Sequence, residues 1–115
     1  MACKETYIIK KYILYVKLEG ELDQLHVERM EKSIFDVIDK YMIKYLVFNF
    51  DMLRFLDCSG IGLIFRCHLK NLKVVLCEMN DYIKKIVLLS GVHKFCIIKD
   101  NCDEVINHLE MLKTC

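Results

Sequence analysis

Phe50-Asp51-Met52-Leu53-Arg54-Phe55-Leu56-Asp57-Cys58-Ser59-Gly60-Ile61-Gly62-Leu63-Ile64-Phe65 is the stretch on which the reading of this chain turns. A nearly continuous apolar run, Tyr45 to Phe50, leads into it, and Asp57-Cys58-Ser59-Gly60 opens a second apolar run with helical spacing. The order predicts a strand ending at Phe50, a short polar-tipped loop and a helix start, with a hydroxyl at the junction. The first N–H groups of a helix have no partner inside it, and the helix dipole adds positive character there. Ser59 therefore sits at a place suited to an anion.

Upstream, Thr6 to Ile9 and Tyr12 to Leu18 are rich in β-branched and aromatic residues and predict an antiparallel hairpin around Lys10-Lys11. Gly20-Glu21-Leu22-Asp23 reads as a turn, with Asp23 able to cap the helix after it. Val27, Met30, Ile34, Val37, Ile38 and Tyr41 then repeat every three or four residues, as one buried helical face does. Downstream, Ile61, Ile64, Phe65, Leu69 and Leu72 give a second stripe, and Lys73 to Cys77 a short buried strand. Asn80 or Asp81 starts a third helix with Ile83, Ile86, Val87 and Ser90 on one face, and Gly91 stands where a left-handed cap belongs. Phe95 to Ile98 predicts a last strand, Asp100 to Asp103 a polar break, and Val105, Ile106, Leu109 and Leu112 a closing helix. Strands alternating with about four helices predict an α/β fold, its sheet mixed and mostly parallel with an antiparallel hairpin at the N-terminal edge. In such sheets the loops at the carboxyl ends of the strands form the functional edge, and the loop after Phe50 lies there.

The 115 residues suffice for one domain, 1–115, and 55% hydrophobic with 29% charged residues is the composition of a packed core. A net charge of +1 without any basic run gives no footprint for nucleic acid or an anionic membrane. The best apolar stretch, Tyr41 to Phe50, is interrupted by Lys44 and Asn49 and is far too short to span a bilayer. Met1-Ala2-Cys3-Lys4-Glu5 has no signal-peptide pattern, so a cytoplasmic protein is expected. The seven cysteines, Cys3, Cys58, Cys67, Cys77, Cys96, Cys102 and Cys115, show no Cys-x-x-Cys spacing. They read as reduced small hydrophobes, and no metal or other cofactor is expected.

Spacing excludes four enzyme readings of the central stretch. Gly60-Ile61-Gly62 begins a dinucleotide fingerprint, but Phe65 stands where its third glycine belongs. No Gly-Lys-Ser or Gly-Lys-Thr exists for a nucleotide-phosphate loop. A nucleophile elbow needs glycine two residues before its serine, where this chain has Asp57. A cysteine-phosphatase loop needs arginine six residues after Cys58, where Ile64 stands. Cys58 as a thiol nucleophile would need one of the scattered histidines, His26, His68, His93 or His108, folded beside it. Two readings of Ser59 remain open: a plain helix cap, or a phosphate acceptor whose added charge changes the sign of one surface point beside Asp57.

Three stretches carry a family resemblance: Gly20-Glu21-Leu22-Asp23, Leu46 to Gly62 with Asp57-Cys58-Ser59-Gly60-Ile61-Gly62, and Leu88-Leu89-Ser90-Gly91-Val92. In their order and spacing the chain resembles the anti-sigma factor antagonists, single STAS domains, and within them the sporulation type. The resemblance implies the STAS fold and a binding protein, not an enzyme, that acts on transcription through a sigma factor. The unphosphorylated form would bind an ATP-bound anti-sigma factor that is also a serine kinase, freeing the sigma factor. Phosphorylation on Ser59 would end that binding, and a PP2C-type serine phosphatase would restore it. Asp23, Asp57, Ser59, Gly60, Ile61, Gly62, Ser90 and Gly91 would form the partner surface. The same resemblance leaves room for a STAS module in a stress-signalling scaffold or a lipid-transport assembly. Two positions depart from the family pattern. Cys58 replaces the usual serine before the acceptor, and Leu69-Lys70-Asn71-Leu72-Lys73 lacks the usual Gly-Gly turn, which implies either a shorter second helix or a tighter exit from it.

Overall fold

A computed structural model of the chain describes residues 3–105 and 107. Its five-stranded sheet has the order β1-β2-β3-β4-β5. These are Lys4–Lys10, Ile13–Leu22, Tyr45–Leu56, Lys73–Cys77 and Ile97–Lys99. Strand β1 pairs antiparallel with β2, and every later pair is parallel. Helices α1 (Gln24–Tyr41), α2 (Cys58–Leu69) and α3 (Asp81–Ser90) make the crossovers, and a 3₁₀ turn, Val92–Phe95, follows α3. A last helical segment begins at Cys102. Val105 is buried on it, whereas Ile106, Leu109 and Leu112 of the expected closing helix lie outside the described residues.

When each parallel strand is added on the same side of the last, right-handed crossovers put all the helices on one face. The core agrees. Val27, Met30, Ile34 and Ile38 of α1, Leu63, Ile64 and Cys67 of α2, and Ile83 and Val87 of α3 share one buried cluster with Leu14, Val16, Leu46, Phe48 and Leu76 of the sheet. The alternate strand residues Ile13, Val47, Val75 and Cys77 point to the other face, where Val105 and Cys102 cover them. Strand β3 is thus buried on both sides, as its near-continuous apolar run predicts.

Two expectations, one about the central stretch and one about the strand beside it, are corrected. The strand does not end at Phe50 but runs to Leu56. Against β2 its register slips twice, Lys17↔Asn49 being followed by Glu19↔Met52 and Gly20↔Leu53 by Glu21↔Phe55. Each slip places one extra residue in β3. The buried residues Phe50, Leu53 and Leu56 therefore recur every three positions, a spacing that hides a strand. The Asn49 side chain accepts from the Asp51 N–H (2.9 Å) at the first slip. Gly20 and Glu21, expected in a turn, belong to β2, where Gly20 takes a φ of 94° beside the second slip.

The exit of α2 is as tight as the missing glycine pair implies. Lys70 caps it, and Asn71 takes the left-handed conformation (φ 64°) two residues before β4 begins at Lys73. Phe95 lies in the 3₁₀ turn, so the last strand starts at Ile97. The expected polar break, Asp100 to Asp103, is shorter than its composition suggests, because the last helical segment already starts within it at Cys102. Asn101 makes that start possible, its side chain accepting from the Glu104 N–H (2.9 Å).

Candidate functional site

Asp57, not Ser59, caps α2. Its backbone is extended (φ −115°), and its Oδ1 accepts from the N–H groups of Ser59 (3.0 Å) and Gly60 (3.3 Å). Ser59 is the second residue inside the helix, and its Oγ donates a short hydrogen bond to the same Asp57 Oδ1. The expected capping serine is thus replaced by a capping aspartate that also holds the serine hydroxyl. The reason is one of spacing: a cap reaches the N–H groups two and three residues on, and Asp57 is the first residue able to do so after the longer strand ends. Ser59 is half-buried and stands at the carboxyl edge of the sheet, next to the end of β3.

Gly60 is needed for packing. A Cβ there would overlap Leu56 Cδ1 and lie 3.2 Å from Leu22 Cδ2, both in the core. The close approach brings the first turn of α2 down onto the ends of β2 and β3. Gly62 serves a different contact. A Cβ there would meet the Arg66 guanidinium at 2.8 Å, and Arg66 lies over this gap while its Nε donates to Glu31 of α1. Lys70 Nζ adds a second tie, 3.2 Å from Asp39 of α1.

Asp23 caps α1. Its Oδ1 accepts from the His26 N–H (3.1 Å) and lies 2.6 Å from His26 Nδ1. The backbone N–H of His26 first, and its ring second, hold the Asp23 carboxyl below its ordinary range. Asn80 repeats the device on α3, accepting from Ile83 N–H (2.8 Å) and donating from Nδ2 to the Leu53 carbonyl (3.3 Å). Three capped helices therefore start along one edge of the sheet.

The sequence-derived partner residues fall into two groups. Ile61, Gly62, Ser90 and Gly91 line one shallow hollow of about 370 Å³, together with Cys58, Phe65, Val92 and Phe95. Asp57, Ser59 and Gly60 form the helix start at its end, and Asp23 lies off the hollow, at the cap of α1. Gly91 has a φ of 82°, and Ser90 Oγ donates to the Val87 carbonyl (2.7 Å) and accepts from Val92 N–H (3.2 Å), which turns the chain sharply out of α3.

Phe65 and Phe95 are the residues that sequence reasoning misplaces. Both are exposed and pack edge to face, centroids 5.2 Å apart, with His68 against both. The apolar spacing puts Phe65 and Leu69 in the buried stripe of α2, but that face is Gly60, Leu63, Ile64 and Cys67. A signal is present: α2 is apolar around most of its circumference, which one buried face does not require. Among the described residues, no group of three or more His, Cys, Asp or Glu is placed to hold a metal ion, and no helix is long and apolar enough to cross a membrane.

Comparison with known proteins matches residues 5–105 to the STAS domain. The chain is 29% identical over 104 residues to an anti-sigma F factor antagonist of Paenibacillus polymyxa, covering 87% of this chain and 89% of that protein. Its fold is that of the anti-sigma factor antagonist SpoIIAA in its unphosphorylated form (TM-score 0.75, 21% identity, 95% of this chain and 98% of the other). It is equally that of the Bacillus cell fate determinant SpoIIAA in the phosphorylated form (TM-score 0.72, 22% identity, 94% and 99%). With its sheet order, its capped helix starts and a match along residues 5–105, this chain belongs to the STAS domain family.

Proposed function

We propose that this chain is an anti-sigma factor antagonist whose binding is switched off by phosphorylation of Ser59. The unphosphorylated protein binds an anti-sigma factor that is also an ATP-dependent serine kinase, and the bound sigma factor is released. The observation that carries this reading is the Ser59 hydroxyl, held by Asp57 at the start of α2 and next to an apolar hollow. The similarity to the Paenibacillus polymyxa anti-sigma F factor antagonist and the existence of SpoIIAA in unphosphorylated and phosphorylated forms support it. The protein acts in the cytoplasm, by binding rather than by catalysis, and a PP2C-type phosphatase returns it to the binding form.

The switch follows from charge. Phosphorylation removes the hydroxyl proton that Asp57 accepts and puts nearly two negative charges beside that carboxylate. The backbone donors of Ser59 and Gly60 are already taken by Asp57. The phosphate is therefore left facing outward, on the surface that includes Ile61, Gly62, Ser90 and Gly91. An apolar partner surface matched to the neutral hydroxyl then meets an anion it must desolvate.

Incubation with the cognate anti-sigma kinase and ATP, with the phosphosite then mapped by mass spectrometry, tests the assignment. Phosphate on Ser59 is the expected result, and phosphate on another residue or on none sinks it. Ser59→Ala should bind and not be released by ATP. Ser59→Asp should bind at least tenfold more weakly, and wild-type affinity for that variant would rule out the charge mechanism.

A further inference from the structure

The face of the sheet opposite the three crossover helices holds two thiols packed into one apolar cluster. Cys77 ends β4 and is wholly buried, while Cys102 opens the last helical segment and is half-exposed. Both belong to the same apolar cluster with Ile13, Val47 and Val75. The Cys77 thiol donates to the Phe48 carbonyl (3.4 Å), and the Glu78 N–H donates to the Asp100 carbonyl (3.3 Å), which ties the end of β4 to the approach to Cys102. Cys102 also lines an apolar hollow of about 310 Å³ beside Ile8, Tyr15 and Val47, through which a small neutral oxidant can reach it.

We propose that Cys77 and Cys102 form a reversible intramolecular disulfide, made by a peroxide, that staples the start of the last helix to β4. Cys102 reacts first, because it is the more accessible sulfur. Burial raises both thiols above their ordinary range, and the nearness of Cys77 offsets part of that rise for Cys102. The Cys102 thiolate attacks hydrogen peroxide, the O–O bond breaks, and the leaving hydroxide takes up the proton the thiol lost, giving one water and a sulfenic acid. The Cys77 sulfur then attacks the sulfenyl sulfur. The S–S bond forms as the S–O bond breaks, and the leaving hydroxide takes the Cys77 proton as a second water. Two thiols lose two electrons and the peroxide gains them. Reduction by a dithiol reverses the step. Because both thiols favour the protonated form, the reaction is slow at neutral pH and quickens as pH rises.

Hydrogen peroxide on the folded full-length protein tests this, in a Cys58→Ser background that leaves six of the seven cysteines. The thiol titre of the denatured monomer should fall from six to four. Non-reducing tryptic digestion should yield residues 74–84 linked to residues 100–113. The melting temperature should rise by roughly 5–10 °C, as closing a loop of this length allows, and return with dithiothreitol. Cys102→Ser and, separately, Cys77→Ala should abolish both the linked peptide and the shift. A linkage between other cysteines such as Cys67 and Cys96, a Cys102 halted at sulfenic or sulfinic acid, or an unchanged titre would each overturn the proposal.

Discussion

Asp57 and Gly60 decide the geometry of the site, and neither does so alone. Asp57 occupies two free N–H groups of the first turn and the Ser59 hydroxyl with one oxygen. Gly60 lets that turn sit against Leu56 and Leu22, which are buried. A methyl group at Gly60 has no room unless both leucines move. Gly60→Ala should therefore destabilise the protein by about 1–3 kcal/mol, the range of overpacked core positions. Urea unfolding should show a lower midpoint with an unchanged slope. Gly62→Ala is the contrast, because only the flexible end of Arg66 must yield, and its cost should stay below about 1 kcal/mol. Ser59, the neighbouring acid and the glycines stand out as a group by their spacing. Their division of labour does not, because it depends on where β3 ends.

The elements show why that end is hidden. Alternation reveals a strand only while the register holds, and the two slips in β3 convert a period of two into the spacing Phe50, Leu53, Leu56. In α2 the difficulty is the reverse. With apolar residues or glycine at each position from 60 to 65, no phase is preferred, and the spacing points Phe65 inward although it faces solvent. Helices α1 and α3, whose polar faces carry charges, are legible in capping and in most of their phase, although Tyr41, read onto the buried face of α1, is exposed at its last turn. The C-terminus of α1 leaves an improvable feature. Met42 caps it in the left-handed conformation (φ 52°), is 71% exposed, and donates its N–H to the Ile38 carbonyl. A glycine adopts this backbone without the steric penalty of a Cβ. Met42→Gly should stabilise the protein by about 0.5–1 kcal/mol in chemical denaturation. A loss of stability would show that the side chain makes a contact worth more than the backbone strain.

At the scale of the molecule, the two faces of the sheet have separate duties. The helical layer presents Ser59 and the hollow around Phe65 and Phe95, whereas the opposite layer carries Cys77 and Cys102 in one apolar cluster. A change in one need not travel to the other, so oxidation should leave phosphorylation of Ser59 unchanged. The strand order has one more consequence, and it concerns time. Each strand pairs only with strands adjacent to it in sequence. No early strand must wait for a late one, so the loops closed during folding are short for a parallel sheet and cost correspondingly little entropy. The cis-proline delays that slow many domains are also impossible in a chain without proline. Refolding from urea under reducing conditions should be a single fast exponential, without a phase of tens of seconds in stopped-flow fluorescence of the six tyrosines. The chain can thus assemble in the order in which it is synthesised, with the hairpin and α1 in place before β3 arrives and Ser59 fixed before the last helical segment exists.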